Sequence, residues 1–247
     1  MRIVGIIPAR YGSTRLEGKP LKYICGKPMI QYTYETAQKA KLLNQVVVAT
    51  DDRRIEEAVE RFGGLACLTS VNHKTGTDRI AEVARNMDAD IVVNIQGDEP
   101  LLDSLQIDEA IQPMIDDRSL KVCTLCRPIQ NEEDLKNPNV VKTVFDLNGN
   151  ALYFSRSLIP YPRKTEGYQT YEHIGIYVYD REFLLQYIHM PQTPLEISES
   201  LEQLRILENG VRLKVVVTKY REKSLSVDTA EDLEAVRRII EARQKKG

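Results

Sequence analysis

Residues 90–100 read DIVVNIQGDEP, and the fold follows from this stretch. Ile91, Val92 and Val93 form an unbroken β-branched run, the pattern of a strand covered on both faces, which belongs to parallel sheets. Gly97 and Pro100 then mark a turn that releases Asp98 just beyond the strand. Upstream the same unit recurs. Arg2 to Ile7 is a β-branched run, followed by a polar loop and a helix expected from about Pro28 to Lys41, with Pro28 suited to the first turn. QVVVAT (45–50) is a second strand. Asp51 and Asp52 can cap a helix in which Ile55, Ala58, Val59 and Phe62 keep helical spacing, and Gly63 stops it. Gly64 to Leu68 is a short strand candidate, and a helix from about Thr77 to Asn86 leads into the quoted strand.

Downstream, a helix from about Ser104 to Ile115 precedes a strand at Lys121 to Cys126. Regularity then declines between residues 130 and 171, where Pro138, Pro160, Pro162, the turn signal Asn148-Gly149 and the short strand ALYFS (151–155) mark an excursion. The chain resumes with HIGIYVY (173–179), a helix from Asp180, another from about Leu195 to Glu208 ending at Asn209-Gly210, the strand LKVVVT (213–218) and a last helix after Asp228. Strands alternating with helices predict an α/β fold, a mostly parallel central sheet flanked by helices, as one domain over 1–247 with an excursion at about 130–171.

The chain has 247 residues, 42% hydrophobic and 28% charged, which is enough to build a core and excludes a disordered or fibrous protein. A net charge of −2 without any long like-charge block argues against a nucleic-acid partner. Apolar runs such as Ile3 to Ile7 fall far short of the roughly 20 residues that span a bilayer, and the N-terminus lacks the apolar core of a secretory signal. The expectation is a cytoplasmic protein without membrane insertion. Cys123 and Cys126 are an odd number of residues apart on one strand and so point to opposite faces. With Cys25 and Cys67 they read as small apolar residues, not as a metal or redox pair.

Ligands of open α/β sheets bind beyond the carboxyl ends of the strands. The first such loop is PARYGSTRLEGKPL (8–21). Gly12 lets backbone amides approach an anion, and Arg10, Arg15 and Lys19 supply charge, which suits a polyphosphate. It is not a Walker A loop, because five residues separate Gly12 from Gly18 and Lys19 is followed by Pro20; a GxGxxG fingerprint is also absent. The alternative is a solvated loop with ordinary turn glycines. Asp98 can hold a hard cation such as Mg²⁺ or simply serve the turn. Asp228, in SLSVDTAED (224–232), can hold the same cation or act as an N-cap three residues before Glu231.

Taken with HKTGTDRIAEV (73–83), NIQGDEP (94–100), ALYFSRSLIPY (151–161), HIGIY (173–177), LEQLRILENG (201–210) and VDTAEDL (227–233), the first loop resembles the 3-deoxy-manno-octulosonate cytidylyltransferase family. The matching segments run in the family's order over nearly the whole chain. The resemblance implies transfer of CMP from CTP to the sugar acid 3-deoxy-manno-octulosonate (Kdo), with release of pyrophosphate, for lipopolysaccharide synthesis. It also implies a nucleotide-binding fold that forms a homodimer through its excursion. By position, Ala9, Arg10, Gly12, Ser13, Arg15 and Lys19 would hold CTP, with Thr75, Gly76, Thr77 and Asp78 near the nucleotide. Asp98 and Asp228 would bind Mg²⁺, and these two with Arg15 and Lys19 form the catalytic set. Gln96, Arg156, His173, Glu202 and Gln203 would line the sugar-acid pocket. Glu17 stands where the family commonly has Pro, and Ser226 where Gly is usual.

Read from spacing alone, His173 fits a packed strand residue better than a ligand contact, periodicity does not decide between a solvated helix face and the pocket for Glu202, and Arg156 can either make a salt bridge with a neighbour or bind a carboxylate. For these three the resemblance carries the assignment. The implied reaction is in-line attack of the anomeric hydroxyl on the α-phosphate, with Mg²⁺ bridging the two and no dedicated histidine base. The rivals are a cytidylyltransferase acting on sialic acid, and a nucleotide-binding sensor without turnover. FSR (154–156), HIGIY and LEQLR argue against the first, and retention of both Asp98 and Asp228 against the second.

Overall fold

The computed structural model describes residues 1–12, 15–164, 166–167, 169–220 and 225–245. Its internal contacts divide the chain into two compact units, Met1–Asp108 with Glu222–Gly247, and Glu109–Arg221. The segment 130–171, read from sequence as an excursion from a single domain, lies within the second unit.

The first unit opens with β1 (Ile3–Ala9), a hairpin of β2 (Tyr23–Ile24) and β3 (Lys27–Pro28), and α1 (Met29–Ala37). There follow β4 (Gln45–Thr50), α2 (Arg53–Arg61), β5 (Ala66–Leu68), α3 (Gly76–Arg85) and β6 (Ile91–Asn94), and the division after Asp108 falls within α4 (Ser104–Asp116). Three parallel pairings set the order β6-β1-β4-β5, with Val4 opposite Val92 on one side and Gln45 on the other. Ile91, Val92 and Val93 are fully buried, as a strand covered on both faces requires. Parallel order brings the loops that follow β1, β4 and β6 to one edge. Asp52 caps α2 by accepting from the Arg54 amide at 2.9 Å, whereas Asp51 pairs with Arg79 instead (2.8 Å).

The second unit contains β7 (Val122–Pro128), α5 (Glu132–Lys136), β8 (Lys142–Phe145), β9 (Ala151–Ser155) and β10 (Tyr171–Asp180). It continues with α6 (Arg181–Tyr187), α7 (Pro194–Glu199), α8 (Leu204–Glu208) and β11 (Leu213–Val217). β11 runs parallel to β7 and β10 antiparallel to it, while β8 pairs antiparallel with both β10 and β9. Cys123 and Cys126 are buried free thiols, and burial pushes both up to about 12, so they behave as the apolar residues their spacing suggests. The chain ends in the first unit with α9 (Ala230–Gln244). Among the described residues no helix is long and apolar enough to cross a membrane.

One expected helix is broken. The span 195–208 is two short helices, with Ser200 between them in the left-handed region at φ 51°. The reason is a buried ion pair. Arg205 donates from Nε to Glu196 Oε2 at 2.8 Å and from its terminal nitrogen to Oε1 at 2.5 Å. In one continuous helix two residues nine apart would face opposite sides, roughly 13 Å apart along the axis. Folding back at Ser200 lets them meet, and Arg205 also lies over the Tyr187 ring, 4.9 Å from its centroid.

Both partners are almost fully buried, at 5% and 8% exposure. Burial alone would raise the Glu196 carboxyl, but the Arg205 hydrogen bonds outweigh it and hold it below the usual range. Glu196→Ala should therefore lower stability by about 3–5 kcal/mol, because it strands a buried guanidinium. A carboxyl with a depressed folded-state pKa contributes stability above its unfolded pKa and loses it on acidification. The gap in melting temperature between parent and variant should accordingly be full at neutral pH and narrow as pH falls below about 4, the ordinary glutamate range. An equal gap at both ends of the range would show that the pair is not the origin of the loss.

Candidate functional site

The β1 loop acquires its shape from Gly18. This residue has φ 62°, its amide donates to the Tyr11 carbonyl at 3.0 Å, and a Cβ there would sit 3.1 Å from the Tyr11 ring. Gly12 is different: a Cβ at that position would meet no atom of the described residues within 4 Å. The positive φ in the described part of this loop falls on Gly18. Ser13 lies outside the described residues. After Gly18 the chain makes one 3₁₀ turn, Lys19–Leu21, which aims Lys19 back under the loop.

β6 and β1 leave the sheet side by side. A Cβ on Gly97 would lie 2.9 Å from the Pro8 carbonyl oxygen, so only glycine lets the β6 loop pass there and bring Asp98 beneath the β1 loop. Asp228 reaches the same place from the far end of the chain. Its neighbour Val227 donates its amide to the Asp98 carbonyl at 2.9 Å, and the Val227 side chain is buried with Ile24, Met29, Leu101, Leu233 and Val236. Asp228 does not cap α9. Thr229 is the N-cap and Asp232 completes a capping box, its Oδ2 accepting from the amides of Asp228 and Thr229 at 3.0 and 2.9 Å. The Asp228 carboxylate is thereby left for the site.

The outcome is one ammonium shared by two carboxylates. Lys19 Nζ lies 2.7 Å from Asp98 Oδ2 and 3.1 Å from Asp228 Oδ1, and Arg15 adds a second cation 3.1 Å from the latter oxygen. The two carboxylates are thus within about 6 Å of each other, close enough to share a hard cation. Their oxygens are the donor type Mg²⁺ takes. Among the described residues no cluster of three or more His, Cys, Asp or Glu gathers, so a cation here would complete its shell with phosphate and water oxygens, its usual mode.

These groups border a cavity of about 380 Å³ that Arg10, Lys74, Thr75, Gly76 and Gln96 also line. Arg10, Arg15, Lys19, Lys74 and Arg79 outnumber Asp98 and Asp228 around it, a balance that favours a polyanion. The N-terminus of α3 faces it, which adds backbone amides. Thr75 and Asp78 are engaged in that helix's capping box (3.0 and 3.1 Å), and Thr77 is buried, so the three shape the helix start from within. Arg79 was not legible as a site residue. It is buried, bonded to Asp51 and Thr69, and the available signal was a cation among the core positions Ile80 and Val83, which demands a partner.

The remaining candidates belong to the second unit, where three segments converge. Arg156, at the end of β9, donates from its amide to Glu199 Oε2 (2.9 Å) and from its guanidinium to the carbonyls of Glu199, Pro138 and Ser200 at 2.7, 3.0 and 3.3 Å. Three of its five N–H donors are therefore committed. This fastens β9 to the α7–α8 turn that carries Glu202 and Gln203, and Gln203 is buried at the start of α8. Tyr187 donates to the Glu202 carbonyl at 2.7 Å. His173 stacks edge-on against Phe154 (5.0 Å) and near Tyr177 (5.3 Å).

The cytidylyltransferase family model matches residues 4–220. The chain is 53% identical to the 3-deoxy-manno-octulosonate cytidylyltransferase of Trichlorobacter lovleyi, covering 94% of this chain and 96% of that one. It is also 53% identical to the protein of the same name from Geobacter metallireducens, covering 96% of each. Among solved structures it is similar to a CMP:2-keto-3-deoxy-manno-octonic acid synthetase complexed with CTP, at 44% identity and a TM-score of 0.94, covering 98% of this chain and all of that one.

If Lys19 is what allows Asp98 and Asp228 to stand together, Lys19→Met should melt earlier in metal-free buffer, by about 1–3 kcal/mol. Millimolar Mg²⁺ should recover more of that loss in the variant than it adds to the parent. Unchanged melting of Lys19→Met in the presence of a chelator would overturn the arrangement.

Proposed function

The chain belongs to the 3-deoxy-manno-octulosonate cytidylyltransferases, and from that premise we infer that it transfers CMP from CTP to Kdo and releases pyrophosphate. The observation that carries the reading is the pair of carboxylates, Asp98 and Asp228, held on Lys19 at a cavity otherwise rich in cations. A triphosphate needs those cations, and a nucleotidyl transfer needs the carboxylates as a cation seat.

In the reaction the anomeric hydroxyl oxygen of the sugar acid bonds to the α-phosphorus. The bond from that phosphorus to the β-bridging oxygen breaks, pyrophosphate departs and the hydroxyl proton passes to water. Sugar acid and nucleotide are both anions, so the protein's task is positioning and neutralisation. Arg10, Arg15 and Lys19 are assigned to the phosphates, and Lys19, bound beside both carboxylates, is assigned to the charge that develops on the leaving group. The Gly76 amide at the α3 terminus is assigned to the nucleotide, as are Ala9, Gly12 and, by the resemblance alone, Ser13. Mg²⁺ held by Asp98 and Asp228 would supply Lewis-acid neutralisation of phosphate charge. Gln96, Arg156, His173, Glu202 and Gln203 are assigned to the sugar acid, Arg156 through the N–H donors it has not committed to carbonyls. A homodimer in the cytoplasm completes the proposal.

The test is pyrophosphate release across a matrix of nucleotides and sugar acids. CTP with Kdo should exceed CTP with sialic acid at least 100-fold, since mismatched hydroxyls leave buried polar groups unpaired. Asp98→Asn and Asp228→Asn should each lower turnover about 100-fold or more. Because Thr229 and Asp232 cap α9, Asp228→Asn should do so without lowering the melting temperature. Comparable rates with the two acids would return the assignment to sialic acid, and no release with any pair would leave a sensor.

A further inference from the structure

His173 sits where β10 departs from regular pairing with β7. The register runs Cys126 opposite His173 and Leu125 opposite Ile174, then slips so that Thr124 faces Tyr177. The fully buried hydroxyl of Thr124 fills the irregularity. Its oxygen lies 2.7 Å from the Ile176 carbonyl, 3.2 Å from the Ile174 carbonyl and 2.9 Å from His173 Nε2.

A threonine hydroxyl has one proton, and the two carbonyl oxygens can only accept. If that proton went to the ring nitrogen, two carbonyl oxygens would face an acceptor oxygen, one of them at 2.7 Å. The proton therefore goes to the carbonyls, and the hydroxyl accepts from the ring. Nε2 carries the hydrogen. A second proton on the ring would make an imidazolium among Phe154, Tyr177 and the strand backbone, and burial pushes the His173 pKa down to about 3. At neutral pH the ring is uncharged with a lone pair at Nδ1. Among the described residues no protein group bonds Nδ1, and the residue is mostly but not fully buried.

We propose that Thr124 is a positioning residue that locks His173 as the Nε2–H tautomer, so that Nδ1 accepts a hydrogen bond from a hydroxyl of the sugar acid. The ligand role rests on the reading of His173 under the proposed function, whereas the tautomer stands by itself. In consequence His173 recognises a neutral O–H donor and takes no part in pairing with the acid's carboxylate. The cation in that role is left to Arg156.

The two parts are tested separately on the full chain. The sequence has three histidines, so ¹⁵N-histidine labelling with long-range proton–nitrogen spectra at pH 7 reads each ring's tautomer without substrate. The expected result is protonated Nε2 and bare Nδ1 at His173. Protonated Nδ1, or a charged ring, overturns the proposal whatever the activity, and this measurement on the parent stands even if a variant fails to fold. In Thr124→Val the lock should be lost and the KM for Kdo should rise about ten-fold, the loss of one neutral hydrogen bond. The KM for CTP and kcat should stay within about two-fold, and Thr124→Ser should restore both spectrum and KM. A freed ring with an unchanged KM for Kdo would overturn the positioning role. Absence of any turnover with Kdo in the parent would instead refute the proposed substrate, leaving the spectrum to decide the tautomer.

Discussion

Two carboxylates drawn from loops far apart in the chain cannot stand near one another without a cation. At a separation of about 6 Å, the upper bound set by their contacts to Lys19, their repulsion is roughly 3 kcal/mol at an effective dielectric near 20. Lys19 removes that cost by bonding to both Asp98 and Asp228, and much of the first unit can be understood as the means of bringing three groups to one point. Gly18 turns the β1 loop so that Lys19 faces inward, and Gly97 lets the β6 loop pass against Pro8. The Val227 amide bonds the Asp98 carbonyl so that the start of α9 cannot drift. Each of these three devices acts on backbone, which explains how a site assembled from residues 19, 98 and 228 can be held to hydrogen-bond distances.

The strands of the first unit were legible because burial on both faces leaves a direct trace, a run of β-branched residues bounded by turn signals. The loops after those strands were legible for the same reason, since a parallel sheet puts them all at one edge. What could not be read was the division of work among neighbouring polar residues. Asp228 and Thr229 are both good N-caps, and sequence offers no way to choose; in the structure Thr229 with Asp232 satisfies the free amides of α9 and releases Asp228. Asp51 and Asp52 divide in the same way, one to Arg79 and one to α2. The sequence singles out Gly12 in the β1 loop, yet it is Gly18 that occupies the left-handed region.

In the second unit the limit on legibility is tertiary. The span 195–208 has helical composition throughout, and propensity alone predicts one helix. Its break follows from a bond between residues nine apart, whose benefit exists only when both are buried. The same holds for Arg156 and His173. Their packing partners are backbone carbonyls and a threonine hydroxyl, groups that carry no distinctive sequence pattern. The family resemblance assigned these residues where periodicity could not.

The two units thus handle polar groups in opposite ways. In the first, charge is concentrated around a cavity and only partly compensated, with Arg15 and Asp228 substantially exposed at 65% and 38%, so a polyanion that enters finds cations it can take over from the carboxylates. In the second, two buried pairs cancel charge inside the protein: Arg205 with Glu196, and Arg127 with Glu172 across paired strands at 2.8 Å. Neutral hydrogen-bonding groups, the Glu202 carboxylate and the partly committed Arg156 are what remain to meet a ligand there. Uncompensated charge gives strength that salt screens, while neutral buried donors and acceptors give selectivity that salt hardly touches. Affinity for the nucleotide should therefore weaken as ionic strength rises, whereas discrimination between sugar acids should persist. Steady-state measurements of both constants from low to high salt separate the two effects, and a selectivity that fell in step with nucleotide affinity would contradict this division.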